Sequence, residues 1–218
     1  MNKIWAGLNK TMQTQIKKKD TYEAGISTLF DLRNQLMETL ISFNEELSRE
    51  DFDALPFINA DGYHSKTIAY SIWHIFRIED IVAHTLISEN EQVFFSGNYQ
   101  ERINSPIITT GNELVKEQIA DFSKKLNLKE LYSYIFEVKD STEKIISSLS
   151  YDELKKKISE ERKEYLKSLN VVSDDENAIW LIDYWCGKDI RGLIQMPFSR
   201  HWIMHIEASL RIKNKIHS

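Results

Sequence analysis

His201 and His205 stand four residues apart in the C-terminal stretch SRHWIMHIEASLRIK. On a helix, about 100° per residue brings positions i and i+4 back to nearly one face, one turn apart, so both imidazoles reach a single point. Neutral imidazole is a ligand for zinc, nickel, copper and iron, and an i, i+4 pair spans the required separation without distorting the helix. Two ligands do not make a site, and such a pair also suits two hydrogen-bonded histidines. The face bears on the choice. With His201 at the origin of a helical wheel, Phe198, His205, Ala208 and Ile212 fall within about 60° of it, whereas Arg200, Glu207 and Arg211 gather near roughly 260°. Both histidines therefore point into an apolar sector, where imidazoles need partners.

A second helix, expected from about Ser65 to Ser88, carries the next candidate. Around His74 lie Thr67, Ile78, Ile81 and Thr85, all within roughly 40°, so His74 faces the core. His84 projects near roughly 280°, with Lys66, Trp73 and Arg77, on what the wheel reads as a polar side. Glu79 falls between Ile72 and Ile75 and interrupts an apolar surface; it is expected in a structural ion pair rather than in catalysis.

The elements that must position these residues are all read as helical. Ile4, Trp5, Leu8, Met12 and Ile16 recur at helical spacing and give residues 1–19 an amphipathic arm or extra packed helix before the domain at 20–218. A first core helix follows Asp20 and closes at Ser48. Residues 91–110 show no sustained period and are expected as a long connection or lid. Capping signatures at Thr110 to Glu113, Asn127 to Glu130, Ser150 to Glu153 and Ser173 to Glu176 should each start a helix, and Gly187 and Gly192 should break the aromatic tract AIWLIDYWCGKDIRGLIQMP. Four long helices with smaller ones inserted between them is the simplest arrangement, an all-α fold.

Composition narrows the function. A chain of 218 residues can bury a sizeable core, and 7 glycines and 3 prolines favour helices over a sandwich. A formal charge of −5, with positive charge scattered except at Lys17–Lys19 and Lys155–Lys157, argues against a general nucleic-acid binder. A single cysteine, Cys186, excludes an intrachain disulfide framework and a cysteine-rich zinc site, and fits a reducing cytoplasm. Neither a signal-peptide core nor a bilayer-spanning run is expected.

The core histidine in SIWHIFRIED, followed far downstream by MPFSRHWIMHIEASLRI, resembles the DinB/YfiT-like superfamily of metalloenzymes over roughly Tyr22 to Ile212. The resemblance implies a four-helix bundle with extra peripheral helices. It also implies a divalent metal held by one histidine of the second helix and the HxxxH pair of the last, which map onto His74, His201 and His205. Some relatives transfer or isomerise using a low-molecular-weight thiol, so the resemblance suggests a thiol, an electrophile as substrate, and a homodimer.

Three histidines leave coordination positions open, as in catalytic sites. Zinc or nickel is expected first, with iron or manganese also allowed. Trp202 stands where an HExxH motif has its glutamate, which disfavours peptide hydrolysis. No Glu stands three residues before either His201 or His205, against a carboxylate-bridged di-iron bundle. Arg77, Arg191 and Arg200 are candidate anion-holding groups, although surface salt bridges suit each better. The competing class is a non-catalytic metal- or ligand-binding protein that self-associates, with Trp180, Tyr184 and Trp185 forming either an interface or a pocket. Solvent access to the metal separates the two.

Overall fold

The computed structural model describes residues 2–218, and among them the chain is all-helical. Among the described residues no strand forms, and an antiparallel bridge joins Lys157 to Asp189. Asn2 caps α1 (Lys3–Gln15), its side chain accepting from the Ile4 and Trp5 amides. The helix lies along α2 (Tyr22–Glu46) with Trp5 and Met12 buried. Gly25 permits this approach, since a Cβ there would stand 2.6 Å from Ile16 Cγ2 and 2.9 Å from the Ile16 nitrogen. A capping box of Ser48 and Asp51 then starts the short α3 (Arg49–Asp53).

The second core helix begins at Ile68 rather than near Ser65, because Thr67 Oγ1 takes the Tyr70 amide and fixes the cap. This helix, α4 (Ile68–Asp80), runs on without a break into a π-helical stretch, Ile81–Ser88. A wheel at 100° per residue loses register there.

Residues 91–110 are not the open connection that their lack of period suggests. They hold α5 (Val93–Ser96) and α6 (Tyr99–Ile103). The Val93 and Phe94 amides both donate to the buried Asp80 carboxylate at 2.9 Å, and Phe94 is fully buried. A segment clamped in this way is scaffold, not a lid.

Only one of the four capping signatures behaves as expected. Thr110 and Glu113 start no helix: Thr109 Oγ1 donates to Glu113, Thr110 Oγ1 donates to Asn112, and Gly111 turns the chain at φ +76°. Consequently α7 (Glu117–Lys125) begins after the turn. Asn127 does cap α8 (Leu128–Ser148), accepting from the Glu130 amide. Ser150 and Glu153 close a single 3-10 turn, Glu153–Lys155, and Ser159 caps α9 (Glu160–Ser168) instead. Ser173 accepts from the near Asp175 amide, which spends it on a turn, so α10 (Trp180–Cys186) starts only at Trp180. Gly187 ends α10, whereas Gly192 lies inside α11 (Ile190–Gln195), its amide taken by the Asp189 side chain. A π-helical turn, Met196–Arg200, leads into α12 (His201–Ile216).

α4 packs on both α8 and α12, and α2 contacts the same two helices. A buried ionic cluster locks them in register. Glu79 has the ion-pair partner that its position demanded: Arg33 of α2 meets it in a two-point bridge at 2.8 and 2.9 Å, and both side chains are fully buried. The remaining Arg33 donors go to Glu143 of α8 and to the Phe198 carbonyl, while Trp202 Nε1 donates to Glu79 Oε2 at 2.8 Å. α2, α4, α8, the π-helical turn and α12 thus meet at the Arg33–Glu79 pair, and Trp202, in the first turn of α12, is the residue beside His201.

Candidate metal centre

His74 comes from the middle of α4, and His201 and His205 from the start of α12. Their ring centroids form a small triangle of 5.0 Å (His74 to His201), 4.8 Å (His74 to His205) and 4.6 Å (His201 to His205). One nitrogen from each ring lies within 4.8 Å of the other two, so the three histidines are positioned to hold a metal ion. Nitrogens at about 2.0–2.1 Å from a tetrahedral zinc stand roughly 3.3 Å apart, so modest ring rotations bring all three onto one ion.

The second nitrogen of His74 is already committed. Its Nδ1–H donates to the Thr110 carbonyl at 2.8 Å, which fixes the tautomer and leaves Nε2 with its lone pair. That carbonyl belongs to the Gly111 turn, and Tyr70 holds the same turn by donating its hydroxyl to the Gly111 carbonyl at 2.8 Å. The Tyr70 ring also stacks on His74, 5.4 Å between centroids at 14°. His201 and His205 differ: Nδ1 of each is buried without a hydrogen-bond partner. Among the described residues no hydrogen bond joins the three rings, which argues against a hydrogen-bonded histidine cluster and suits lone pairs that coordinate.

Burial keeps the imidazoles neutral, the form that binds metal. It pushes His74 down to about 4, against the opposing hydrogen bond to Thr110, with the nearby Lys66 charge adding to the depression. Burial also takes His201 and His205 well below the usual 6.5, reinforced for His201 by His74 and for His205 by His201, His74, Lys66 and His64.

The rings sit at the floor of a cavity of about 500 Å³, within the range of small-molecule sites. Each is between 4% and 8% exposed, so solvent reaches the cluster. Trp180, Tyr184 and Trp185 all line this cavity. With the three histidines neutral, Lys66 contributes the one charged side chain among the described lining residues, and no Asp or Glu is among them.

The arginines and His84 correct the sequence reading. His84 is 3% exposed rather than on a polar surface, and Trp73 and Arg77 on the same face are fully buried. That face packs on α8 and on residues 91–110, whose burial of it a wheel of one helix cannot show. His84 Nδ1 meets Asp80 Oδ1 at 2.9 Å and its Nε2 meets Ser141 Oγ at 2.7 Å. The order matches that of a nucleophile relay. Ser141 lies inside α8, however, where neighbouring amides are spent on helix bonds, and the groove outside carries Glu91, Glu137 and Asp140 against the single cation Lys144, a balance that opposes an oxyanion. We read it as structural. Arg77 donates to the Ile108 carbonyl at 2.9 Å and holds no anion outside the fold. Arg191 pairs with Asp189, and Arg200 is exposed outside the cavity.

Sequence reasoning missed Arg33, Lys66, Tyr70 and Thr110. Arg33 alone left a signal, a charge at helical spacing between Leu29, Leu36 and Met37. The others act through a turn and a cavity that no local pattern encodes. Comparison of the chain with protein-family models and with curated proteins finds no match. No helix among the described residues is long and apolar enough to cross a membrane.

Proposed function

We propose that His74, His201 and His205 bind one divalent metal ion and that the chain is a metal-dependent enzyme of the DinB/YfiT-like type, transferring a low-molecular-weight thiol to a small electrophile. Under this reading α2, α4 with its π-helical continuation, α8 and α12 are the four helices of the bundle, zinc or nickel is the favoured ion, and the protein works as a homodimer. The observation that carries the reading is the convergence of three neutral imidazoles, one oriented by a backbone carbonyl, at the floor of a cavity open to solvent. A closed structural site would have no such cavity.

A divalent ion held there lowers the pKa of a bound thiol or water towards neutrality. The protein's residues favour the thiol. No carboxylate lines the cavity to act as the general base that zincin-type hydrolysis uses. The thiol must come from outside the chain, because Cys186, the single cysteine, is absent from the cavity and burial pushes its thiol up to about 11. The aromatic wall shelters the reacting groups from water, and Thr110 and Tyr70 hold His74 in place through the Gly111 turn.

The test is metal content by plasma emission of tag-free protein beside His74→Ala and His201→Ala. Near-stoichiometric metal, lost in both variants, is expected, followed by thiol consumption above background with metal-loaded protein and an electrophile. No bound metal after reconstitution with zinc, nickel, manganese and iron would overturn the reading.

A further inference from the structure

Metal binding accounts for the floor of the cavity but not for its wall. Lys66 stands just before α4, and its backbone is fixed there by the Thr67 cap, whose hydroxyl also bonds Ser123 Oγ at 2.6 Å. The ammonium lies 4.9 Å from the Tyr70 ring centroid and pairs with no acidic group among the described residues. Other part-buried lysines do find carboxylates: Lys139 meets Glu143, Lys163 meets Asp183 and Lys213 meets Glu46. In a chain with 33 acidic and 28 basic side chains, a cavity that holds one lysine and no acid is an island of opposite sign.

In the same cavity, Trp180, Tyr184 and Trp185 offer flat apolar surface. Trp180 is 49% exposed at the mouth, whereas Trp185 is 1% exposed and deep. Such a site complements a molecule with an apolar body and one negative charge, and it opposes cations.

We propose that the cavity recognises an amphipathic carboxylate, with its anionic group on Lys66 and its aromatic or alkyl body against Trp180, Tyr184 and Trp185. The molecule then lies beside His74, His201 and His205. This substrate class rests on the metal reading for its chemistry but not for its binding, and the two separate experimentally.

The probes are 4-phenylbutyrate and its uncharged amide, titrated against intact protein while tryptophan fluorescence is followed. Wild type, Lys66→Gln and Lys66→Arg are each measured as purified and after chelation, with metal content determined in parallel. The carboxylate should bind about ten-fold more tightly than the amide, as expected for a partly desolvated charge pair. Lys66→Gln should abolish that preference, Lys66→Arg should keep it, and chelation should leave it in place. Equal affinities in wild type, absence of binding by both probes, or a preference that survives Lys66→Gln would overturn the proposal. A preference lost on chelation yet kept in Lys66→Gln would assign the carboxylate to the metal instead of Lys66, and would also overturn it. A Lys66-dependent preference in protein that never holds metal would uphold this inference and refute the metal reading alone.

Discussion

Arg33→Met should destabilise the protein by about 3–5 kcal/mol, the range for removing one partner of a buried ion pair. The structure explains why the cost belongs at that end of the scale. Glu79 is fully buried and accepts three hydrogen bonds, two from Arg33 and one from Trp202. Without the guanidinium its carboxylate keeps only the indole donor, and Glu143 and the Phe198 carbonyl each lose a donor as well. Glu79→Gln should cost less, on the order of 2 kcal/mol, since an amide retains the shape and the Trp202 contact while Arg33 keeps Glu143. The pair should be strongly coupled, so Arg33→Met combined with Glu79→Gln should fall short of the summed single effects by about 1–3 kcal/mol. Urea unfolding followed by circular dichroism gives all three values, and heating should show Arg33→Met melting roughly 6–20 °C lower for a chain of this size. Arg33→Met should also weaken metal binding, because the guanidinium holds the Phe198 carbonyl in the turn that leads into His201. A cost below about 1 kcal/mol for Arg33→Met, or additive effects in the double variant, would refute the view that this cluster sets the register of α2, α4, α8 and α12.

Gly111→Ala tests the turn that orients His74. The residue sits at φ +76°, and a Cβ would stand 3.1 Å from Tyr70 Cε2, so a loss of about 1–2 kcal/mol in stability is expected, with weaker metal binding in a competition titration. Metal-free protein should lose stability on acidification: His74 is pushed down to about 4 in the folded chain but returns to about 6.5 when unfolded. The unfolded state therefore binds more protons between those values, and stability present above pH 6.5 falls as pH drops through the window. Urea midpoints measured across it after chelation should decline less in His74→Leu than in wild type.

The helical class and the inward faces of the three histidines were legible in the sequence because both depend on local periodicity, whereas joining His74 to the other two came from the family resemblance. A spacing of four places His201 and His205 on one face wherever the helix lies, and the apolar neighbours of His74 mark its inward side. The same logic placed Glu79 in an ion pair without naming Arg33, because a partner on another helix is a matter of packing. It failed at His84, where a π-helical continuation shifts the wheel, and at both His84 and Arg77 because α8 and residues 91–110 cover a face that looks polar in isolation. It failed again at Thr110, where the side chain that resembles a helix cap is spent on Asn112 and the backbone carbonyl instead holds His74. Periodicity reports which face of a helix turns inward. Only the tertiary structure decides which inward faces meet, and so it alone brings Lys66 and the aromatic wall to the histidines, since that requires contacts between residues far apart in the chain.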